Sequence, residues 1–448
     1  MRAHVGPLLE LCLSHSWDSA SQPLDKEFLS NTLFSEAYVN GRKLEKVMVE
    51  AHKIVRAFLL VQNYYREDND FAQNFDFSEI VRSRNLETRF RHMLAKIQRS
   101  QADSPWKNEQ YYHRQFVLEY AIFEHECLHN RARGDLNIPE ALRALDEHYY
   151  INRLNLLNHF LLQQKVANVI VPDSVETAIS ETSVPGRYLE TSATIKINTE
   201  IFFLLKKSHP EPSDVRLLFD LLKIHEEGLD QDSLRKFYTY LRNVCVLIAN
   251  VFFDDEEIRH TLFDLYRDNL TRGYLHFEGK LHPNTYLAVS TAAVRVNQYE
   301  WGLDFIEQFK DQIIGENEHQ DIYRFNMALY LFGVGRYDEC LTYIPSTSPF
   351  IDYLFRGKRL ELKAYYEIDS DLLPYKLDAF KMFLSRTSQK LLSKSQNQLN
   401  LDFANLLYQL IHSIPGDPKR ANRIIERIQA KKSTTEWRWL LEKAEALR

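Results

Sequence analysis

The stretch NQYEWGLDFI at 297–306 is followed 38 residues later by a similar stretch, GRYDECLTYI at 335–344. Tyr299 corresponds to Tyr337, and Gly302 corresponds to Cys340. Recurrence at a fixed period of this length is typical of chains built from stacked pairs of helices, in which each pair buries its apolar face on its neighbours. We therefore expect the C-terminal half to be an array of helical hairpins.

The spacing inside the second copy has a physical cause. Ala328 is a small residue, Gly335 and Tyr337 form a G-x-Y sequence, and Cys340 is again small. Small residues allow paired helices to approach closely, and a glycine after the last turn ends the first helix. The tyrosine is then expected to fill the space between the two helices.

A third, looser copy is LKAYYEIDSDLLPYKLDAFKMFL at 362–384, with Ala364 and Ala379 at the small positions. With these copies, residues 190–430 resemble a tetratricopeptide (TPR)-type α-solenoid. The stretches YLRNVCVLIAN, GYLHFEGKLHPNTY and LDEHYYINRLNLLNHFL are also similar to long helical proteins of unknown function from Bacteroidetes-type bacteria. The resemblance implies an all-α superhelix of TPR-like helical hairpins, and it implies no particular activity.

Composition supports long helices and argues against several functional classes. The 448 residues include 13 glycines and 14 prolines, and 44 % of them are apolar, which favours a folded, helical chain. The net charge of −6 gives no overall attraction to nucleic acid or anionic membranes. The phosphate-loop, dinucleotide-binding and nucleophile-elbow motifs do not occur in the sequence.

Changes in composition along the chain predict its domains. We expect an N-terminal helical region at 1–168, a bend or linker at 169–192 and a TPR-like repeat region at 193–448. The linker is rich in Ser and Thr and interrupts the helical period. Ser433 and Glu436 have the spacing of a capping box, which predicts that a final helix begins there and caps the array.

One long amphipathic helix is expected in the N-terminal region, because apolar residues recur with helical spacing. Its apolar positions are Leu44, Val47, Val49, Ala51, Ile54, Val55, Phe58 and Leu59.

A possible metal site lies at 125–129, where His125-Glu126-Cys127-Leu128-His129 reads H-E-x-x-H. On a helix this pattern allows two histidines to bind zinc while the glutamate acts as general base. In this alternative His125, His129 and Glu147 are the ligands and Glu126 is the base. However, the surroundings of Glu147 do not match the usual third-ligand motif, and no strand is expected nearby. We therefore interpret the pattern as a chance match and expect no metal or other cofactor.

Two basic stripes and a second histidine group were also considered. The stripes have helical spacing and consist of Arg82, Arg89, His92, Lys96 and Arg99, and of Arg420, Arg423, Arg427 and Lys431. They are compatible with contacts to a nucleic-acid backbone, but solvated helix faces explain them equally well. His276, Glu278 and His282 would bind a metal only if their segment formed a hairpin, and we interpret it as a polar connector.

We conclude that the sequence predicts a non-catalytic scaffold that binds a peptide or partner protein on a concave helical surface. The alternatives are a zinc-dependent hydrolase and a scaffold that contacts nucleic acid. Four well-separated cysteines and the absence of a long apolar run predict a cytoplasmic protein without a membrane partner. The sequence does not identify the partner.

Overall fold

A computed structural model describes residues 2–15, 24–34, 41–66, 69–129, 136–167, 171–252, 255–315, 319–345, 351–387, 394–414, 416–431 and 434–448. These residues form 22 α-helices, as expected from the scarcity of glycine and the abundance of helix-forming residues. In chain order the helices are α1 (Val5–Ser14), α2 (Lys26–Phe34), α3 (Gly41–Tyr64), α4 (Asp70–Ser83), α5 (Glu87–Ala102), α6 (Glu109–His129), α7 (Ile138–Ala167), α8 (Asp173–Glu181), α9 (Gly186–Thr191), α10 (Ala193–Lys206), α11 (Pro212–His225), α12 (Gln231–Val251), α13 (Glu256–Thr271), α14 (Pro283–Arg295), α15 (Tyr299–Phe309), α16 (His319–Gly333), α17 (Tyr337–Tyr343), α18 (Ile351–Glu367), α19 (Leu373–Arg386), α20 (Lys394–Ile411), α21 (Pro418–Ala430) and α22 (Trp437–Glu445).

A small antiparallel hairpin connects α13 to α14. It consists of β1 (His276–Phe277) and β2 (Lys280–Leu281), joined by Glu278 and Gly279 in left-handed conformations. Among the described helices, none combines the length and the hydropathy needed to span a bilayer.

The chain divides into two compact units. Unit 1 comprises Met1–Arg153 and Val184–Ile195, and unit 2 comprises Leu154–Ser183 and Lys196–Arg448. The segment expected as a linker, 169–192, contains the short helices α8 and α9. The boundaries inferred from the sequence, at 168 and 193, stay a prediction.

Successive helices in unit 2 end in the same way. Asn297, Gly335 and Asp369 follow the ends of α14, α16 and α18, and all three have positive φ angles, of 59°, 79° and 49°. The next residue in each case donates its N–H to a carbonyl five residues back, the hydrogen bond of a Schellman motif. Because the αL conformation favours Gly, Asn and Asp, one turn geometry recurs along the array.

The small residues of the repeat mark close contacts between helices. A Cβ atom on Gly302 would lie 3.2 Å from Cβ of Ala293, so α15 packs tightly on α14. Cys340 and Ala364 are fully buried. Ala379 is exposed and therefore does not serve as the close-packing position that we expected.

Helices α14, α16 and α18 also form a row, because α16 packs on both α14 and α18, while α15 and α17 pack between them. This order of antiparallel pairs is that of a helical-hairpin repeat. The prediction of an all-α, TPR-like repeat fold is confirmed.

The final helix, α22, packs against the last large apolar cluster of unit 2, in which Trp439, Leu440 and Ala444 are buried. The predicted capping box is wrong. Ser433 lies outside the described residues, and Glu436 directly precedes the helix with φ of 58°. Its side chain contacts Lys363 and Arg359 of α18 instead of a backbone N–H, because two cations offer a stronger interaction than the helix terminus.

Unit 1 has smaller apolar clusters, one around α1–α3 and another around α4–α6. The predicted long helix is present as α3, but only its first turns are covered: Leu44, Val47 and Ala51 are buried. The other expected core positions are exposed, namely Val49, Ile54, Val55, Phe58 and Leu59.

Candidate functional site

His125, the first histidine of the H-E-x-x-H sequence, is buried where α6 packs on α5. Its Nε2 atom lies 2.8 Å from Oε1 of Glu87, and its ring centroid lies 5.2 Å from that of Phe90. The His129 side chain lies outside the described residues. The surroundings of His125 are those of a histidine held by packing and by a carboxylate.

Glu147, the predicted third ligand, is buried on α7 beside the opposite end of α6. Burial raises its pKa, while Arg143 and then Lys107 lower it. The same carboxylate acts electrostatically on Tyr111 and Tyr112, in the first turns of α6. Thirteen residues of helix separate Tyr112 from His125, or about 20 Å along the axis. The structure therefore does not bring Glu147 to His125.

Within the described part of the chain, no group of three or more His, Cys, Asp or Glu side chains is arranged to hold a metal ion. His276, Glu278 and His282 do lie on the hairpin between α13 and α14. His282 uses Nδ1 to accept a hydrogen bond from the N–H of Asn284, and so caps α14. His276 packs on Phe309, and burial lowers its pKa.

The two basic stripes lie on exposed helix faces, and several members have partners. Arg82 pairs with Glu79 at 2.5 Å, and Lys431 pairs with Asp402 at 2.7 Å. Arg427 donates a hydrogen bond to Gln409. Local partners of this kind are what a solvated helix face shows.

An open groove with a volume of about 750 Å³ lies between α11 and α13. Both helices pack on α12, which separates them. Buried Val215, Ile258 and Leu265 form the apolar floor together with half-buried Phe219. These positions recur every three, four or seven residues on their helices, so each helix turns one apolar stripe toward the groove.

The rim of the groove carries both signs of charge. Arg216 of α11 pairs across the groove with Glu257 of α13. Arg267 and Arg272 pair with acids on α13, Asp264 at 2.9 Å and Asp268 at 3.0 Å. Asp220 is exposed and makes no ion pair with any residue that the structure describes.

Sequence reasoning did not find this groove, because its walls are about 40 residues apart and their pairing is not encoded locally. The available signal was the pair of amphipathic stripes, Val215 with Phe219 and Ile258 with Leu265. Such stripes predict burial but do not show which stripe stays partly open.

Comparisons with known proteins add little. No protein-family model and no curated protein matches the sequence. The TPR domain of P58(IPK), a crystal structure, is 14 % identical over 84 % of this chain and 98 % of that chain, with a TM-score of 0.19. At that TM-score the fold assignment rests on the helix pairs described above. The resemblance to helical proteins of Bacteroidetes-type bacteria stays a prediction.

Proposed function

We propose that this protein is a non-catalytic scaffold that binds a peptide segment of a partner protein in the groove between α11 and α13. The observation that carries the proposal is the open groove itself, with its apolar floor and charged rim. Its volume lies within the range of about 300–1,000 Å³ that is typical of binding clefts.

The chemistry of the groove favours an amphipathic peptide. Val215, Ile258 and Leu265 offer apolar contacts to every second or third side chain of a peptide. Arginines and carboxylates alternate along the rim, so a partner with both signs of charge fits better than a polyanion. This balance disfavours a nucleic-acid backbone as the occupant.

The groove lining also supports a binding role over catalysis. It contains no histidine, cysteine or lysine among the described residues, and its arginines are paired with carboxylates. General acid–base and nucleophilic catalysis usually need such groups. A role without a cofactor and a location in the cytoplasm are part of the same proposal.

The experiment begins with affinity purification and mass spectrometry to identify a partner, followed by calorimetry with the purified partner. Thr261→Trp fills the groove and should weaken binding at least about tenfold. Thr177→Trp is the matched control. Both threonines are helical, and each donates from Oγ1 to the carbonyl four residues earlier over 2.9 Å.

Thr177 lies on α8 and does not line the groove. Unchanged affinity in Thr261→Trp, with the fold intact by circular dichroism, would remove the groove from the proposal. Equal weakening in both variants would show that the effect is unrelated to the groove.

A further inference from the structure

A group of basic side chains surrounds Glu436, immediately before α22. The Glu436 carboxylate accepts a hydrogen bond from Nζ of Lys363 over 2.8 Å and lies 3.4 Å from Nε of Arg359. Two residues later, Arg438 donates a hydrogen bond of 2.6 Å to the carbonyl of Asn250. The start of α22 therefore lies between α18 and the C-terminal end of α12.

Two further guanidinium groups reach the same place. Arg259 lies in the first turn of α13, shortly after α12 ends, and Arg295 lies in the last turn of α14. Since α13 and α14 pack together as an antiparallel hairpin, the start of one lies beside the end of the other. Arg295 interacts electrostatically with both Glu436 and Arg259.

The charges in this group do not balance. Glu436 is shared by Lys363 and Arg359. The side chains of Arg259 and Arg295 make no hydrogen bond and no ion pair with any residue in the described ranges, and Nε of Arg259 is buried. Desolvation and then Arg259 lower the pKa of Arg295. Two neighbouring guanidinium groups without an acid are unfavourable unless an anion joins them.

The group is open to solvent. More than a third of Arg295 is accessible, although protein surrounds its guanidinium closely enough to shift its pKa. The Glu436 side chain is 28 % exposed. The basic group therefore lines a recess that a ligand can enter.

We propose that Arg259 and Arg295 bind a phosphate-type dianion in the recess beside Glu436. Two guanidinium charges match the two negative charges of a phosphate group, and each guanidinium can donate paired hydrogen bonds to its oxygens. The dianion belongs to free phosphate, to a phosphorylated side chain or to a nucleotide. Arg259 and Arg295 do not line the groove between α11 and α13, so this site is independent of the proposed scaffold function.

The test is isothermal titration calorimetry of the full chain at pH 7.5 and constant ionic strength, with inorganic phosphate, phosphoserine and AMP as separate probes. We expect saturable binding of at least one probe below about 10 mM. Arg295→Gln and Arg259→Gln should each weaken it about tenfold or more. Tighter binding of phosphoserine or AMP than of inorganic phosphate would identify an ester as the ligand.

Arg420→Gln is the control, because Arg420 is an exposed arginine on α21, away from Glu436. Arg295→Lys retains the charge but loses the planar fork, and it should bind with intermediate affinity. The proposal is overturned if no probe gives saturable heat, or if folded Arg295→Gln and Arg259→Gln bind as well as the control.

Discussion

Lys363 and Glu436 are joined by a hydrogen bond of 2.8 Å across 73 residues of chain. Burial opposes ionisation of Glu436, but Lys363 and Arg359 outweigh it and lower its pKa from 4.5 to about 2. Both cations are nearly buried, so Glu436→Gln leaves them without their counter-charge. We expect that change to lower the free energy of unfolding by about 2 kcal/mol at pH 7, after allowance for solvent screening.

The same pair predicts a pH dependence. Because the pKa of Glu436 is lower in the folded state, its contribution is complete above pH about 5 and is lost as the pH falls toward about 2. The difference between wild type and Glu436→Gln should therefore shrink over this range in urea denaturation. Glu442→Gln, at an exposed position of the same helix, should leave stability unchanged at all pH values. A difference that persists at pH 2 would contradict the assignment.

Gly333 lies where α16 meets α14. A Cβ atom there would approach Cγ1 of Val294 to 2.2 Å, so Gly333→Ala should lower the free energy of unfolding by about 1–3 kcal/mol. Val294→Ala removes the obstacle, and the double variant should be more stable than the sum of the single effects. Gly228→Ala, with nothing within 4 Å of the added atom, is the control. Strict additivity would show that the two residues do not touch.

The four cysteines differ in access to solvent. Cys245 and Cys340 are fully buried, and burial raises the pKa of each thiol to about 12. Cys12 and Cys127 are partly exposed. Since the thiolate is the reactive form, iodoacetamide should label Cys12 and Cys127 in the native protein, and the other two only after denaturation. Peptide mass spectrometry reads out the labelled sites, and fast native labelling of Cys340 would be inconsistent with the packing of α17.

His125 should affect stability without affecting metal content. His125→Ala removes the ring that packs on Phe90 and contacts Glu87, so we expect a loss of about 1–2 kcal/mol. His92→Ala, at an exposed position of α5, should have no effect. Elemental analysis of the purified protein tests the alternative, because stoichiometric zinc that disappears in His125→Ala would identify a metal site.

The sequence was sufficient to predict the repeat, because its signals are local. Gly335, Tyr337 and Cys340 encode a helix end, a space-filling ring and a close contact within six residues. The positive φ angles of Asn297 and Asp369 show that the same turn tolerates other residues, which explains why the other copies are less obvious.

Long-range pairing could not be predicted in this way. Glu436 looked like a capping residue because its spacing from Ser433 fits a capping box, but its partners Lys363 and Arg359 lie over 70 residues earlier. In α3 the helical period predicted burial of Phe58, yet whether an apolar stripe is covered depends on a neighbour that periodicity does not identify. The groove between α11 and α13 escaped prediction for the same reason.

Arg438 and Asn250 are 188 residues apart in sequence, and their hydrogen bond has a consequence for how the array unfolds. In a repeat chain whose units contact only their neighbours, the terminal helix frays first and the rest unzips after it. Here α22 also contacts α12, so its release must break a contact in the middle of the chain. Amide hydrogens of α22 should consequently exchange nearly as slowly as those of α12, and the C-terminal end should not be the weak point of unit 2.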